Sequence, residues 1–207
     1  MFAAAMVSAS GSLNRAVIID PPNDFISVFT GPKNGDFDVL RAEVFLDPSA
    51  ANFRFTSTSA ANIGTTPPGI FVWGVNRGAG FANFADIGLP GIKFDAVVVL
   101  TAGGTGFVTT LDNGVQTNLP SANININGPD LFATVPLSLL PSLGFAPVAY
   151  TVNLWPRSAP IIDQVEVISD FAPDNTNAAV TLLPEPATFG VIGLSLAGLV
   201  CARRRGR

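Results

Sequence analysis

The sequence predicts an all-β fold: a single antiparallel β-sandwich, jelly-roll-like, followed by a polar spacer and one short C-terminal transmembrane helix. Short stretches rich in Val, Ile, Phe and Thr alternate with clusters of Gly, Pro, Asn and Asp at intervals of roughly 8 to 12 residues, the rhythm of strands and turns in all-β domains. The only cysteine, Cys201, lies in the last apolar run, so a packed core rather than disulfides must hold the body together. Near the end, residues 187–202 carry no charge and run into Arg203, Arg204, Arg205 and Arg207.

Taken in order, residues 1–12 read as a partial signal peptide or disordered start. Val7 and Ala9 fit the small-residue pattern before a signal-peptidase cut, while the basic region and most of the apolar region of a leader are missing. Residues 13–169 form the sandwich, with strands expected at 16–19, 25–29, 39–46, 52–58, 70–75, 94–100, 107–111, 122–126, 131–135, 149–154 and 164–168. Within 39–46, Leu40, Ala42, Val44 and Leu46 share one face and Arg41 and Glu43 the other, the period of two that a half-buried strand needs. Phe53 and Phe55 flank Arg54 in the same manner.

The connections carry their own signals. Gly103-Gly104-Thr105-Gly106 supplies the positive φ of a tight hairpin, and Asp112-Asn113-Gly114 a second turn that continues a meander. Proline at 136 and again at 141 denies a long strand there and predicts a single helical turn between them. Residues 170–183 read as a polar spacer that holds the domain off a membrane.

Charge and residue content exclude several function classes. Setting aside Glu185 and the four tail arginines leaves seven of the 11 basic and fourteen of the 15 acidic residues, a surface that repels nucleic acid. The chain has no histidine, which removes the Ser-His-Asp triad and the usual zinc site. Carboxylate chemistry remains, and a hydrolase of that kind needs two acids facing one groove. The body's glutamates, Glu43 and Glu166, fall on separate predicted strands, and Asp36 and Asp38 share one side of an extended segment and could pair, although the segment reads better as a solvated turn before a strand. The expectation is a protein that is not an enzyme.

Two groups of residues are candidates for binding. Trp73, Arg77, Tyr150, Trp155 and Arg157 supply the aromatic and guanidinium groups that stack on sugar faces and grip hydroxyls; the competing reading is that they fill the core. Exposure of either tryptophan favours a carbohydrate platform, and burial of both removes it. Asp170, Asp174, Asn175 and Asn177 place oxygen ligands in one short loop where calcium is the candidate ion, although the glycine and terminal glutamate of an EF-hand are absent. No other cofactor is expected. The loop at 74–80 has the glycines of a phosphate cradle but no helix pattern after it.

The tail completes the reading. Pro184-Glu185-Pro186, the apolar helix at 187–202 and the basic end at 203–207 together resemble a PEP-CTERM sorting tail, the signal by which exported proteins are handed to the membrane transpeptidase exosortase. The prolines keep the motif extended, and the arginines hold the C-terminus on the cytoplasmic side. The uncharged stretch 188–202 spans roughly 22 Å as a helix, short of the roughly 30 Å hydrocarbon core, so local thinning or snorkelling arginines must make up the difference. The resemblance implies an exosortase partner, membrane association during processing, and a final location at the cell surface or in the extracellular matrix with exopolysaccharide. Val135-Pro136-Leu137-Ser138-Leu139-Leu140 and the following Tyr150-Thr151-Val152-Asn153-Leu154-Trp155 resemble the closing section of DOMON-like sandwiches, which include sugar- and haem-binding modules. The haem variants use histidine and methionine ligands, and here the methionines are Met1 and Met6, so haem is not expected. The function expected is therefore a non-catalytic exported surface or matrix protein, with a carbohydrate-binding module as the alternative and a carboxylate hydrolase behind it.

Overall fold

The computed structural model describes residues 17–161 and 164–182, which contain twelve strands and no α-helix. In chain order these are β1 (Ile18–Ile19), β2 (Val39–Asp47), β3 (Asn52–Ser59), β4 (Ile70–Asn76), β5 (Ala96–Thr101), β6 (Gly106–Thr110), β7 (Val115–Leu119), β8 (Ile124–Asn127), β9 (Asp130–Pro136), β10 (Thr151–Arg157), β11 (Ala178–Ala179) and β12 (Thr181–Leu182). They build two six-stranded sheets. The first runs β1-β2-β3-β9-β8, with β12 on β2; the second runs β11-β10-β4-β5-β6-β7. All pairings are antiparallel except that of β12 with β2.

Alternation sets the inner faces. Val44, Leu46, Phe53, Phe55, Leu131 and Val135 of the first sheet meet Phe71, Trp73, Val98, Leu100, Val152 and Leu154 of the second, all buried in one cluster. The two sheets thus share one core between them, as a sandwich requires. The second sheet is covered on its outer face too. There Ile70, Val72, Phe94, Trp155, Ile168 and Phe171 form a second apolar layer under the loop that carries Phe84, Leu89 and Ile92. A strand buried on both faces reads as an unbroken apolar run, and β4 is such a run: Ile-Phe-Val-Trp-Gly-Val.

Turn chemistry acts where expected. Gly104 (φ 76°) closes the β5–β6 hairpin and Gly114 (φ 70°) the β6–β7 hairpin. A 3₁₀ turn, Leu137–Leu139, sits between the two prolines. The strand order refines the jelly-roll-like expectation: β3 leads across to β4 and β9 leads across to β10 in the same direction, so two consecutive pairs interlock rather than nest.

Four local expectations differ from the structure. Segments 25–29 and 164–168 are not sheet strands; they lie beside one another, joined by Ile26 N–H to Ser169 O (2.9 Å) and Thr30 N–H to Glu166 O (3.0 Å), and their Ile26, Val165 and Ile168 pack on the outer layer. β7 is an additional edge strand whose first four residues are exposed. Residues 170–182 are no spacer: Asp170, Phe171 and Ala172 are buried, β11 joins β10, β12 joins β2, and Val180 sits in the core between them. This last segment laces one open side of the sandwich. No helix among the described residues is long and apolar enough to cross a membrane; the leader at 1–12 and the predicted tail at 184–207 lie outside the described residues.

Candidate functional site

Five aspartates from three distant parts of the chain converge beside the ends of β1 and β2. Asp20 follows β1, Asp24 ends the Pro21-Pro22-Asn23 turn, Asp38 precedes β2, and Asp170 and Asp174 come from the segment after β10. Carboxylate oxygens of Asp24, Asp38 and Asp170 lie within 4.8 Å of one another, as do those of Asp20, Asp24 and Asp174, so Asp24 belongs to both triads.

Backbone bonds hold the frame. Asp20 N–H donates to Leu40 O at 3.1 Å, fixing β1 and its trailing turn against β2. Asp38 Oδ2 accepts from Asn23 N–H (2.9 Å), and Asp170 accepts from Val39 N–H at Oδ2 (3.0 Å) and from Phe171 N–H at Oδ1 (2.7 Å). Ser169 Oγ donates to Phe37 O at 2.9 Å, tying the late segment to the early one from the other side. Asn23 adopts φ 64°, a left-handed conformation that asparagine tolerates, which turns the chain back so that Asp24 faces Asp38.

The electrostatics are uncompensated. Asp20 is 5% and Asp38 2% exposed, yet among the described residues no donor reaches Asp20 Oδ2, Asp24 Oδ1 or Asp38 Oδ1, and the Asp20 carboxyl lies close enough to that of Asp170 to share a proton with it. Among the described residues no lysine or arginine forms an ion pair with any of the five. Burial, followed by the Asp170 charge, pushes the Asp20 carboxyl up to about 8, and burial pushes Asp170 up to about 7. Asp24 and Asp38 are raised as well, in both cases chiefly by burial. Crowded carboxylates without a counter-charge stay ionised only at a cost of several kcal/mol per ion, and they either take up protons or gather a cation.

Sequence reasoning found two of the five. Asp170 and Asp174 do face the cluster, whereas Asn177 donates to Lys93 O (2.6 Å) and Thr151 Oγ1 (3.1 Å) and accepts from Lys93 N–H (3.2 Å), and exposed Asn175 lies against Gly91 through its carbonyl. Asp20 and Asp24 were missed, and Asp38 was read only with Asp36, because only the β1–β2 and Val39–Asp170 contacts bring these residues to the loop. Asp36 does not pair with Asp38: its carboxylate accepts from Thr66 N–H (2.7 Å) and Thr66 Oγ1 (2.9 Å), a buried anchor for the loop before β4.

The sugar platform is not present on the surface. Trp73 is 0% and Trp155 2% exposed, and Arg77, Tyr150 and Arg157 are buried with them. Trp73 packs edge-on against Phe55 in the inter-sheet core (5.4 Å between rings), while Trp155 sits in the outer layer against Phe84 and Phe94 (5.2 and 4.9 Å). Tyr150 OH donates to Leu140 O (3.0 Å), and Arg157 donates to the carbonyl oxygens of Ile161 and Gln164. Arg77 forms a buried hub, described below, rather than a ligand contact. Side-chain chemistry alone does not distinguish a ligand platform from a core, and a continuous apolar strand such as β4 is covered on both faces. Two surface depressions, of about 480 and 140 Å³, are lined by Asn76, Lys93, Thr151 and Asn177 and by Thr110, Asn113, Thr117 and Ser138 among others, with no carboxylate in either.

Comparison with known proteins adds one finding. Residues 183–205 match the family model of the PEP-CTERM protein-sorting motif. The matched stretch begins immediately after β12, includes Pro184, Glu185 and Pro186, and extends through Arg203, Arg204 and Arg205. The chain thus carries a sorting tail that marks an exported protein handed to an exosortase-type membrane enzyme. No curated protein and no solved structure matches the chain, and the DOMON likeness gains no support from them.

Proposed function

We propose that this PEP-CTERM protein is a non-catalytic component of the cell surface or extracellular matrix, released or re-anchored after processing of its tail and associated with exopolysaccharide. The observation that carries the reading is the motif match at 183–205, with its order of prolines, apolar run and basic end. The body supports it in two ways. The sandwich extends to Leu182, so the processing motif starts one residue beyond the last strand and any cut there leaves the folded domain whole. The two sheets close on a shared apolar core, and neither of the two depressions of about 480 and 140 Å³ is lined by a carboxylate.

The test is fractionation in a host that has exosortase and makes exopolysaccharide, compared with a strain that makes none. The protein is expected in the matrix fraction of the first and free in the medium of the second. Equal distribution in both strains contradicts the polysaccharide association.

A further inference from the structure

The five-aspartate cluster has a geometry that its own protein partners do not satisfy. Three of its members, Asp20, Asp38 and Asp170, are more than nine-tenths buried, and two of these keep an oxygen without a donor among the described residues: Asp20 Oδ2 and Asp38 Oδ1. These oxygens belong to carboxylates that converge within 4.8 Å in triads sharing Asp24. A fold that spends backbone amides on orienting Asp38 and Asp170, through Asn23, Val39 and Phe171, and leaves other oxygens of the cluster without a donor among the described residues is arranged for a positive charge. We propose that Asp20, Asp24, Asp38, Asp170 and Asp174 bind calcium, and that the ion fastens the segment after β1 to the segment after β10 so that the sandwich closes fully only where calcium is available.

The donor set selects the ion. All five ligands are hard oxygens, and carboxylates that bind through one or both oxygens suit the six to eight ligands and irregular geometry of calcium; magnesium demands a tight octahedron and keeps its waters. The chain has no histidine, and its one cysteine, Cys201, is none of the five clustered residues, so the cluster offers no soft ligand for zinc or copper.

The location gives the ion a structural consequence. Asp20 and Asp24 lie on the run between β1 and β2, and Asp170 and Asp174 precede β11 and β12, the strands that lace the open side and lead directly to the sorting motif. Without a cation the two segments repel; with it, the last strands are held in place. Closure is thereby coupled to export, because extracellular modules bind calcium with dissociation constants of about 10⁻⁴–10⁻³ M, a range that separates exterior from cytoplasm. This coupling rests on the exported reading; the binding itself does not.

The experiment uses the full chain in mild detergent, stripped with chelator, with melting followed by the fluorescence of Trp73 and Trp155 and binding followed by calorimetry. Calcium chloride is expected to raise the melting temperature by several degrees, saturably, with one or two ions bound per chain, and magnesium at the same concentration to do much less. Asp174→Asn, at an exposed position, should raise the half-saturating calcium concentration several-fold. Asp24→Asn/Asp38→Asn should abolish the calcium shift while melting, calcium-free, at or above the temperature of the unaltered chain. No calcium shift up to about ten times the weak end of that affinity range, an equal response to magnesium, or an unchanged half-saturating concentration in Asp174→Asn overturns the proposal. Calcium-dependent folding with no matrix delivery would instead refute the matrix reading and leave the site standing.

Discussion

Removing the Arg77 guanidinium should unfasten the end of the sandwich remote from any ligand question. Arg77 is 0% exposed at the end of β4 and donates from Nε to Asp95 Oδ1 (2.7 Å), from Nη2 to Asp112 Oδ1 (2.6 Å) and Asp95 O (3.1 Å), and from Nη1 to Pro141 O (3.0 Å). One side chain thus joins the strand end, the residue before β5, the β6–β7 turn and the loop after the 3₁₀ turn. Breaking a buried pair from one side costs about 3–5 kcal/mol, because the remaining carboxylate is left buried and unpaired. Asp95 keeps two donors, Arg77 N–H and Ala79 N–H, both 3.0 Å from Oδ2, so the lower end, about 3 kcal/mol, is expected for Arg77→Met. At about 2–4 °C per kcal/mol for a chain of this length, the melting temperature falls by roughly 6–12 °C. Urea unfolding followed by tryptophan fluorescence, with calcium present, measures it. Arg54→Ala, which removes a half-exposed partner from Asp47, is the control and should leave the midpoint nearly unchanged. A loss below about 1 kcal/mol for Arg77→Met, the level of a surface pair, refutes the hub.

Further outcomes follow from the same contacts. In chelator, the melting temperature should fall as pH rises from 5 to 8: Asp20 at about 8 and Asp170 at about 7 bind more protons folded than unfolded, so their stabilisation is complete below the ordinary carboxylate range and lost as pH passes through 7 and 8. Saturating calcium should flatten that slope, since the ion replaces the protons, and a chelated protein that gains stability from pH 5 to 8 contradicts the electrostatics of the cluster. Gly74→Ala should destabilise by about 1–3 kcal/mol, since its Cβ would stand 2.5 Å from Trp155 Cη2 and 3.1 Å from Phe94 Cβ; a neutral result in thermal melting means the outer layer is loosely packed. Trp155→Ala should cost about 3–5 kcal/mol in the same assay and leave the protein's retention by exopolysaccharide unchanged, because the ring fills the outer layer rather than meeting ligand.

The strands that form the sheets were legible where alternation or an unbroken apolar run identified them. Leu46, Phe53 and Phe55 point inward as their period of two requires, and the two glycine turns and the Pro136–Pro141 segment announced themselves through backbone chemistry. Segments 25–29 and 164–168 were misread for a physical reason. A loop that covers a sheet needs apolar side chains as much as a strand does, and only the non-local pairing distinguishes them. β7 was missed because Val-Gln-Thr-Asn at a sheet edge has no buried face to advertise. The acid cluster was half visible. Asp170 and Asp174 are neighbours in the chain, whereas Asp20, Asp24 and Asp38 acquire their meaning from a bond such as Val39 N–H to Asp170, between residues 131 apart. The tail was the most legible part, since its signal lies in the order of local pieces and needs no tertiary contact.

The sorting claim is tested most directly by the intact mass of the mature protein from a host with exosortase. The native chain should lack its apolar and basic end, while the variant carrying Pro184→Ala, Glu185→Ala and Pro186→Ala should insert and keep it, because the apolar run and its arginines are untouched. If both proteins carry the same complete C-terminus, the tail is an anchor alone and the account of this chain as a processed, exported protein is wrong.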